Sequence, residues 1–405
     1  MVQDDKPVGL DGIQVEFDDE RVVSDAGIVL VATLALRLGI EALASELIWL
    51  RRDRPGAANA GRKVMALLYA MVLGDDSIDD SSVLGSGRTG RLLGGWIAAP
   101  STLGTFLRAF TFGHVRQLDA LLDRSLQRAW RAGAGPGANR LVIDVDSFVG
   151  EVCGRLKQGA SFGYTHVLGY HPLLATRADT RETLQIRLRK GSANTQKGIK
   201  RFCDELIARV ERAGATAVKP LRADSGFWNT KLFERLEQAG WQYSIGVRMT
   251  KTVRAAVEAI DEDAWQPIDY PDEGEAQIAE TVYGKRRLIA RRTRLLGAQA
   301  EPWPDWRHFC LISNRVEEIT LVEAEHREHA VVEQVIADLK EQPLAHFPSG
   351  QFHANSAWTV LAALAHNLLR RTQLLGLPNT TLRAARTLRR RHLTIPGRPT
   401  RHARG

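Results

Sequence analysis

Cysteine is scarce in this sequence, and its placement rules out two kinds of cysteine-dependent fold. Only three cysteines occur in 405 residues, Cys153, Cys203 and Cys310, and no two of them form a CxxC pair. Such spacing excludes a disulfide framework and a zinc ribbon. It is typical of a protein from a reducing compartment.

The sequence also lacks a signal peptide and a long uncharged apolar segment. Its first ten residues, MVQDDKPVGL, are acidic where a signal peptide would be basic and then apolar. The most apolar stretch, residues 27–50, contains Arg37, Glu41 and Glu46, and it predicts a core helix rather than a membrane span. These absences predict a cytoplasmic protein with no membrane partner, associated with the nucleoid if DNA is its substrate.

Acidic residues are missing from the C-terminal segment that begins at Arg370. Ten arginines and no Asp or Glu follow to the end of the sequence, so this segment accounts for the whole net charge of +8. A basic terminal segment of this kind predicts an arm that lies along the phosphates of a nucleic acid. A solvated tail that only keeps the protein in solution is the alternative interpretation.

Hydrophobic periodicity divides the chain into helical and strand-rich parts. Apolar residues recur at helical spacing up to about residue 131, a glycine-rich linker follows, and short apolar runs then alternate with helices. That order predicts an α/β fold, a mixed sheet flanked by helices, with an N-terminal helical domain and a β-rich insertion. The predicted parts are the helical domain (1–131), the linker (132–139), the first part of the core (140–251), the insertion (252–320), the closing helices of the core (321–375) and the basic arginine-rich tail (376–405).

Two acids share one face of the first predicted strand. Asp144 and Asp146 lie two residues apart in LVIDVDSFVG, and alternate residues of a strand point to the same side. Two carboxylates on one buried face repel each other unless a cation lies between them. The alternative is that one of them ends the strand in water and caps a turn.

A third acid ends another predicted strand. Asp224, in VKPLRADSGF, precedes a Ser-Gly pair that permits a sharp turn. The turn would expose its carboxylate at the C-terminal edge of the sheet, where the active sites of such sheets gather. An N-cap of a helix would use the same aspartate equally well.

A polar stripe occupies one face of a predicted helix over residues 323–341. His326, His329, Glu333 and Lys340 fall within about 60° of one another at about 100° per residue. A solvated face would explain this stripe, and so would a polar partner. Oxygen ligands from two strands and a helix suit Mg²⁺ or Mn²⁺ rather than zinc. Two such ions about 4 Å apart are suited to cleaving a phosphodiester.

The motifs resemble those of the DDE transposases of bacterial insertion sequences, whose core is RNase H-like. VIDVDS resembles the first motif of this family, in which the acid before Ser or Thr is the metal ligand, and LRADSGF resembles the second. The resemblance extends over most of the chain. It implies that Asp146, Asp224 and Glu333 are catalytic and bind two Mg²⁺ or Mn²⁺ ions, and it leaves the role of Asp144 open.

The third motif departs from the family pattern at two positions. The family has Tyr, Arg, Glu and Lys at the spacing that His326, His329, Glu333 and Lys340 keep in this sequence. An arginine would be a permanent cation at the DNA backbone, whereas His329 is only partly charged at neutral pH.

The resemblance also implies a reaction and a set of DNA contacts. Water would cut the phosphodiester at the element ends, and the freed 3′-hydroxyl would attack target DNA. The partners would be the terminal inverted repeats, the target DNA and a second copy of the chain, with the N-terminal helices binding the ends. An aromatic residue of the insertion would stack on a flipped base. The predicted DNA contacts are Lys340, His329, His326, Arg286, Arg292, Trp303 and Trp306.

Two other functions stay open on the sequence alone. A DNA-binding protein of transposase descent that no longer cuts would account for the histidines at 326 and 329. A zinc hydrolase would use His326, His329 and Glu333, although a His pair at i,i+3 without a third His nearby is a weak zinc motif.

Overall fold

The structure is a computed structural model that describes residues 21–51, 53–85, 88–163, 165–269, 274–295, 306–377 and 381–400. Helices come first and strands begin after residue 140, in the predicted order. The α-helices are α1 (Ile28–Arg37), α2 (Ile40–Leu47), α3 (Ala60–Leu73), α4 (Thr89–Leu92), α5 (Pro100–Arg108), α6 (Phe112–Ala129), α7 (Ile199–Arg212), α8 (Thr230–Gln238), α9 (Lys251–Glu258), α10 (Ile319–Arg327), α11 (Val331–Glu341), α12 (Phe352–Gly376) and α13 (Ala385–Leu388).

Twelve strands are present in the described ranges, and nine of them form one mixed sheet. The strands are β1 (Ile143–Ser147), β2 (Gly150–Glu151), β3 (Ser161–Phe162), β4 (Leu168–Tyr170), β5 (Leu173–Arg177), β6 (Thr183–Arg187), β7 (Pro220–Ala223), β8 (Gln242–Val247), β9 (Gln266–Ile268), β10 (Gly274–Tyr283), β11 (Arg286–Leu295) and β12 (Arg307–Ser313). The large sheet has the order β6-β5-β1-β7-β8-β12-β11-β10-β9, and β2, β4 and β3 form a small separate sheet. This architecture is the predicted mixed sheet flanked by helices.

The direction of the central strands decides where side chains gather. β1 pairs in parallel with β7, and β7 pairs in parallel with β8. Their C-terminal ends therefore lie at one edge of the sheet. β5, β6 and β12 are antiparallel to their neighbours.

The strands of the segment predicted as an insertion, 252–320, continue the core sheet. β12 pairs with the edge of β8 along Cys310 to Ser313, and β11, β10 and β9 follow outward. An unpaired edge would leave backbone donors and acceptors open, so the added strands satisfy the edge of β8. The segment is β-rich, as expected, but its strands share the sheet with the core. Its domain boundaries stay a prediction.

The apolar stretch 27–50 forms two helices rather than the single helix predicted. α1 and α2 meet at Gly39, whose φ of 61° lies in the left-handed region that glycine adopts without strain. Arg128 of α6 donates to the Leu38 and Gly39 carbonyls at 2.8 and 3.2 Å, which holds the bend. In the described ranges no single helix is long and apolar enough to cross a membrane. The pair α1 and α2, bent by 57°, has the length and composition of a membrane span, and nothing else supports that reading.

The long helix α12 lies at the centre of the hydrophobic core. It is buried along most of its length, and it contacts α3 and α6 on one side and β6 on the other. One apolar cluster consequently runs from Ile28 to Leu393. The segment 132–139 therefore separates helices from strands without separating two cores.

The basic C-terminal segment is largely packed against the protein. Arg370 and Arg371 are buried in α12 and form ion pairs of 2.7 and 2.9 Å with core carboxylates. Arg389 is also buried and donates to a carbonyl of α3 at 2.8 Å, and the backbone of 393–397 pairs with that of 23–27. The prediction of a free basic arm was wrong for these residues, because Leu388 and Leu393 anchor the segment in the core. Arg390, Arg391 and Arg398 are exposed.

Candidate active site

The C-terminal ends of β1 and β7 bring two of the predicted acids side by side. The two strands are in parallel register up to Val145 and Ala223, and Asp146 and Asp224 follow directly. Neighbouring strands lie about 4.8 Å apart, so the two acids begin from adjacent points of the sheet edge. Asp146 is half-buried and Asp224 is exposed.

Asp224 caps a helical turn and is also exposed at the sheet edge. It begins a one-turn 3-10 helix, Ser225–Phe227, and its Oδ1 accepts a hydrogen bond from the Gly226 N–H at 3.0 Å. The turn lies against Gly246 of β8, where an added Cβ would come within 2.8 Å of the Ser225 nitrogen. Glycine at position 246 thus permits the close approach that puts the Asp224 carboxylate at the edge.

Asp144 has partners of its own, and they settle its role. It is fully buried, and Nε and Nη2 of Arg222 donate to its two oxygens at 2.7 and 2.9 Å. Nδ1 of His329 lies 3.1 Å from its Oδ1. A bidentate guanidinium neutralises a carboxylate and occupies both of its oxygens. Asp144 is therefore the acid of a buried ion pair beneath the sheet edge.

The helix predicted over 323–341 is interrupted. α10 ends at Arg327, a 3-10 turn covers Glu328–Ala330, and α11 then begins. A 3-10 turn has three residues per turn, so it rotates the residues after it relative to those before it. Arg222 donates to the Glu325 and Glu328 carbonyls, which an uninterrupted helix would use for its own hydrogen bonds.

The four polar residues of the predicted stripe are distributed over α10, the 3-10 turn and α11. Nδ1 of His326 lies 3.0 Å from the Ser244 hydroxyl on β8, whereas His329 meets Asp144. Glu333 is exposed in the first turn of α11, and Lys340 is exposed two turns later.

The charges of two of the predicted acids, Asp224 and Glu333, act on the third, Asp146. The pKa of Asp146 is raised to about 6, chiefly by burial, and the negative charges of Asp224 and Glu333 contribute to the rise. The Ser147 N–H, which donates to Oδ1 at 2.6 Å, and the ring of His329 lower the pKa. Asp224 and Glu333 therefore lie near enough for their charges to oppose ionisation of Asp146.

These three acids fit a hard divalent cation in chemistry. Carboxylate oxygens are the ligands that Mg²⁺ and Mn²⁺ prefer, and a cation would offset the repulsion felt at Asp146. Within the ranges described, no group of three or more His, Cys, Asp or Glu side chains is arranged so that it could hold a metal ion. The three acids therefore do not form a complete metal site by themselves.

The two histidines of the zinc alternative both have partners within the protein. Their rings stack with centroids 6.4 Å apart, and each has one ring nitrogen engaged with a protein oxygen. Burial lowers the pKa of His326 to about 4, with the charges of His329 and Arg222 contributing, so His326 is neutral at pH 7. His326 therefore brings no permanent charge to a phosphate.

A cavity of about 500 Å³ opens beside Asp224, between α10 and strands β8, β11 and β12. Arg248, Arg291 and Arg327 line it together with Phe309, whose side chain is 54% exposed. Arg291 and Phe309 are register partners, and the guanidinium lies 5.0 Å from the ring centroid. The sequence analysis missed these four residues. The alternation of residues in VYGKRRLIARRTRLL and HFCLISN predicts the strands that contain Arg291 and Phe309. It does not predict which strands pair with each other.

The two arginines predicted to contact DNA have acidic partners on the protein. Arg286 pairs with Glu237 at 3.0 Å. Arg292 is buried and pairs with Glu262 at 2.6 Å. A phosphate would have to replace these carboxylates.

Of the two predicted aromatic contacts, the structure describes Trp306 only. Trp306 faces the Arg292 guanidinium at 4.6 Å, and Trp265 lies 4.2 Å from the same guanidinium. Arg294 is 4.5 Å from Trp306. Trp306 is thus part of an arginine–tryptophan stack. Trp303 lies outside the described residues.

Comparison with known proteins identifies the family. The family model described as "Transposase DDE domain group 1" matches residues 5–405. A search of curated proteins finds no match. Among solved structures, a piggyBac transposase synaptic complex with hairpin DNA is similar in fold, with 13% identity and a TM-score of 0.50 over 91% of this chain and 79% of that one. The chain belongs to transposase DDE domain group 1 and is therefore a DDE transposase, an enzyme of DNA transposition.

Proposed function

We propose that this transposase cuts DNA at the ends of its element and transfers the freed 3′-hydroxyls to target DNA through Asp146, Asp224 and Glu333. The observation that carries the proposal is the parallel register of β1 and β7, which starts Asp146 and Asp224 from adjacent strand ends. The charge of Glu333 acts on the same carboxylate. This family is divalent-metal dependent, and we infer two Mg²⁺ or Mn²⁺ ions at these acids.

The hydrogen bonds of the acids indicate which carboxylate oxygens are left for metal ions. Ions of this kind activate an attacking hydroxyl and stabilise the leaving oxygen of a phosphodiester. Backbone N–H groups of Ser147 and Gly226 fix one oxygen each of Asp146 and Asp224, so the other oxygen is left for a ligand. Glu333 is exposed in the first turn of α11, a helix that contacts β1.

The surroundings of the acids supply contacts for DNA. Arg248, Arg291 and Arg327 place guanidinium groups beside Asp224, and Phe309 offers an exposed ring for a base. We also infer phosphate contacts from the exposed Lys340 and from His329. Arg286, Arg292 and Trp306 would join them only after exchange of their present partners. Arg291 and Arg327 would likewise have to leave Glu323, with which they pair at 3.2 and 2.9 Å.

The expected partners are the terminal inverted repeats, target DNA and a second copy of this chain in the nucleoid of the cytoplasm. The piggyBac transposase of similar fold is described as a synaptic complex with hairpin DNA, which supports DNA as the partner. Two element ends must be cut and joined together, so a homodimer is the simplest assembly.

Asp146→Asn is expected to stabilise the metal-free protein at pH 7.5 but not at pH 4. The folded-state pKa of about 6 lies above the usual 3.8, so the folded protein binds the extra proton. The stability from this proton is complete below pH 4 and is lost as the pH rises through about 6. Thermal unfolding in EDTA at pH 4 and 7.5 measures the effect. An equal change in melting temperature at both pH values would contradict the repulsion at this site.

Glu333→Gln tests the proposed function, because it removes the helix-borne charge and keeps the shape. With Mg²⁺ and linear DNA carrying the flanking element ends, we expect cleavage to fall by about 10²-fold, about 3 kcal/mol of transition-state stabilisation. The matched control is Glu341→Gln at the end of α11, which should cut like the unaltered protein. Full activity of Glu333→Gln would refute the assignment. An unaltered protein that binds the DNA without cutting it would favour the decayed, DNA-binding alternative.

A further inference from the structure

One buried guanidinium lies among the three segments that carry the proposed catalytic acids. Arg222 precedes Asp224 by two residues on β7, and Asp144, its register partner, precedes Asp146 by two residues on β1. Arg222 is 3% exposed and Asp144 is fully buried. Since alternate strand residues share a face, this ion pair forms the rung of the sheet directly below the two acids.

The same guanidinium reaches the third segment. Its Nη1 donates to the Glu325 carbonyl in α10, and its Nη2 donates at 3.3 Å to the Glu328 carbonyl in the 3-10 turn that precedes α11. Asp144 in turn meets Nδ1 of His329 at 3.1 Å. Glu333 follows His329 by one helical turn, so these contacts fix where α11 stands relative to the strand ends.

We propose that Arg222 is a positioning residue that sets the spacing of Asp146, Asp224 and Glu333 for metal binding. This inference rests on the function proposed for those three acids. Arginine suits the role because its planar fork offers five donors in fixed directions, and here they serve a carboxylate and two carbonyls at once. A buried ion pair adds little stability over an apolar pair of the same volume, so stability alone gives weak reason for this pair.

Arg222→Lys tests the proposal, because lysine keeps the charge but cannot reach all three acceptors. Mn²⁺ binding to the full chain without DNA, followed by electron paramagnetic resonance of the free ion, should weaken by about ten- to a hundredfold, as for other groups that orient metal ligands. Arg371→Lys is the matched control, since Arg371 is equally buried and pairs with Glu182 at 2.9 Å elsewhere. Both variants should lower the melting temperature, and only Arg222→Lys should lower the affinity for Mn²⁺.

A second variant separates positioning from stability. Asp144→Leu combined with Arg222→Met preserves net charge and replaces the buried pair with apolar side chains, a change that often leaves stability intact. We expect a folded protein with the same loss of Mn²⁺ affinity. Unaltered Mn²⁺ affinity in this double variant would overturn the positioning role, whatever the behaviour of Arg222→Lys.

The same titration distinguishes this inference from the proposed function. Asp224→Asn should also weaken Mn²⁺ binding. If Asp224→Asn binds Mn²⁺ like the unaltered protein, the assignment of the acids fails and the positioning role fails with it. If Asp224→Asn loses affinity while the double variant at 144 and 222 keeps it, only the positioning role is refuted.

Discussion

Asp224→Asn should lower DNA cleavage and strand transfer by at least about 10³-fold, equivalent to about 4 kcal/mol of transition-state stabilisation. The change removes one of the negative charges that hold the cations at the sheet edge. It should leave the fold intact, because an asparagine oxygen can still accept the hydrogen bond from the Gly226 N–H that caps Ser225–Phe227. The measurement is the yield of cut and joined products from linear DNA with both element ends, in Mg²⁺.

The control for Asp224→Asn is another exposed aspartate that precedes a 3-10 turn. Asp261 is exposed and precedes the 3-10 turn Glu262–Ala264, so Asp261→Asn removes a charge from a similar turn. We expect its activity to match that of the unaltered protein. DNA binding by Asp224→Asn, measured in the absence of divalent ions, should also be unchanged. Equal products from Asp224→Asn and the unaltered protein would refute the proposed active site.

Glu182→Ala should destabilise the protein by about 3–5 kcal/mol, the largest effect that we expect on folding. The Glu182 carboxylate is fully buried between α12, α6 and the sheet. It accepts from Nε of Arg371 at 2.9 Å, lies 3.6 Å from the Arg177 guanidinium, and also faces the Trp130 indole N–H. Removal of the carboxylate leaves two buried guanidinium groups without this partner.

Denaturant unfolding of Glu182→Ala measures this loss, with Asp179→Ala as the control. Asp179 pairs with the same Arg177, but its side chain is 58% exposed. Water solvates the Asp179 carboxylate, so Asp179→Ala should destabilise the protein less than Glu182→Ala does. An equally small loss of stability in both variants would show that burial of the carboxylate does not determine its contribution to the free energy of unfolding.

Local patterns were sufficient for much of the fold. Alternation and short apolar runs predicted the strands that became β1 and β7, and the order of helices and strands predicted a mixed sheet with helical cover. The Ser-Gly after Asp224 predicted a sharp turn, and the turn is present. These features depend on residues that are neighbours in sequence, so the sequence carries them directly.

Long-range pairing corrected several other predictions. The arginines at 370, 371 and 389 belong to the core because acids and carbonyls far away in sequence meet them there. The helix over 323–341 is interrupted because a guanidinium from β7 takes its carbonyls. The pairing of Arg291 with Phe309 beside Asp224 was not predicted either, because it depends on the register of two strands, β11 and β12.

The sequence by itself determined the fold class, the family and the three acids that we propose as catalytic, because motif spacing and periodicity are local properties. The tertiary structure alone decided which acid of the DxD pair has a cationic partner. Asp144 lies opposite Arg222 in the parallel register of β1 and β7, whereas Asp146 lies at the end of the strand with the charges of Asp224 and Glu333 around it. Which of the two aspartates meets a cation depends on the register between β1 and the neighbouring strand. The sequence of one strand alone does not specify that register.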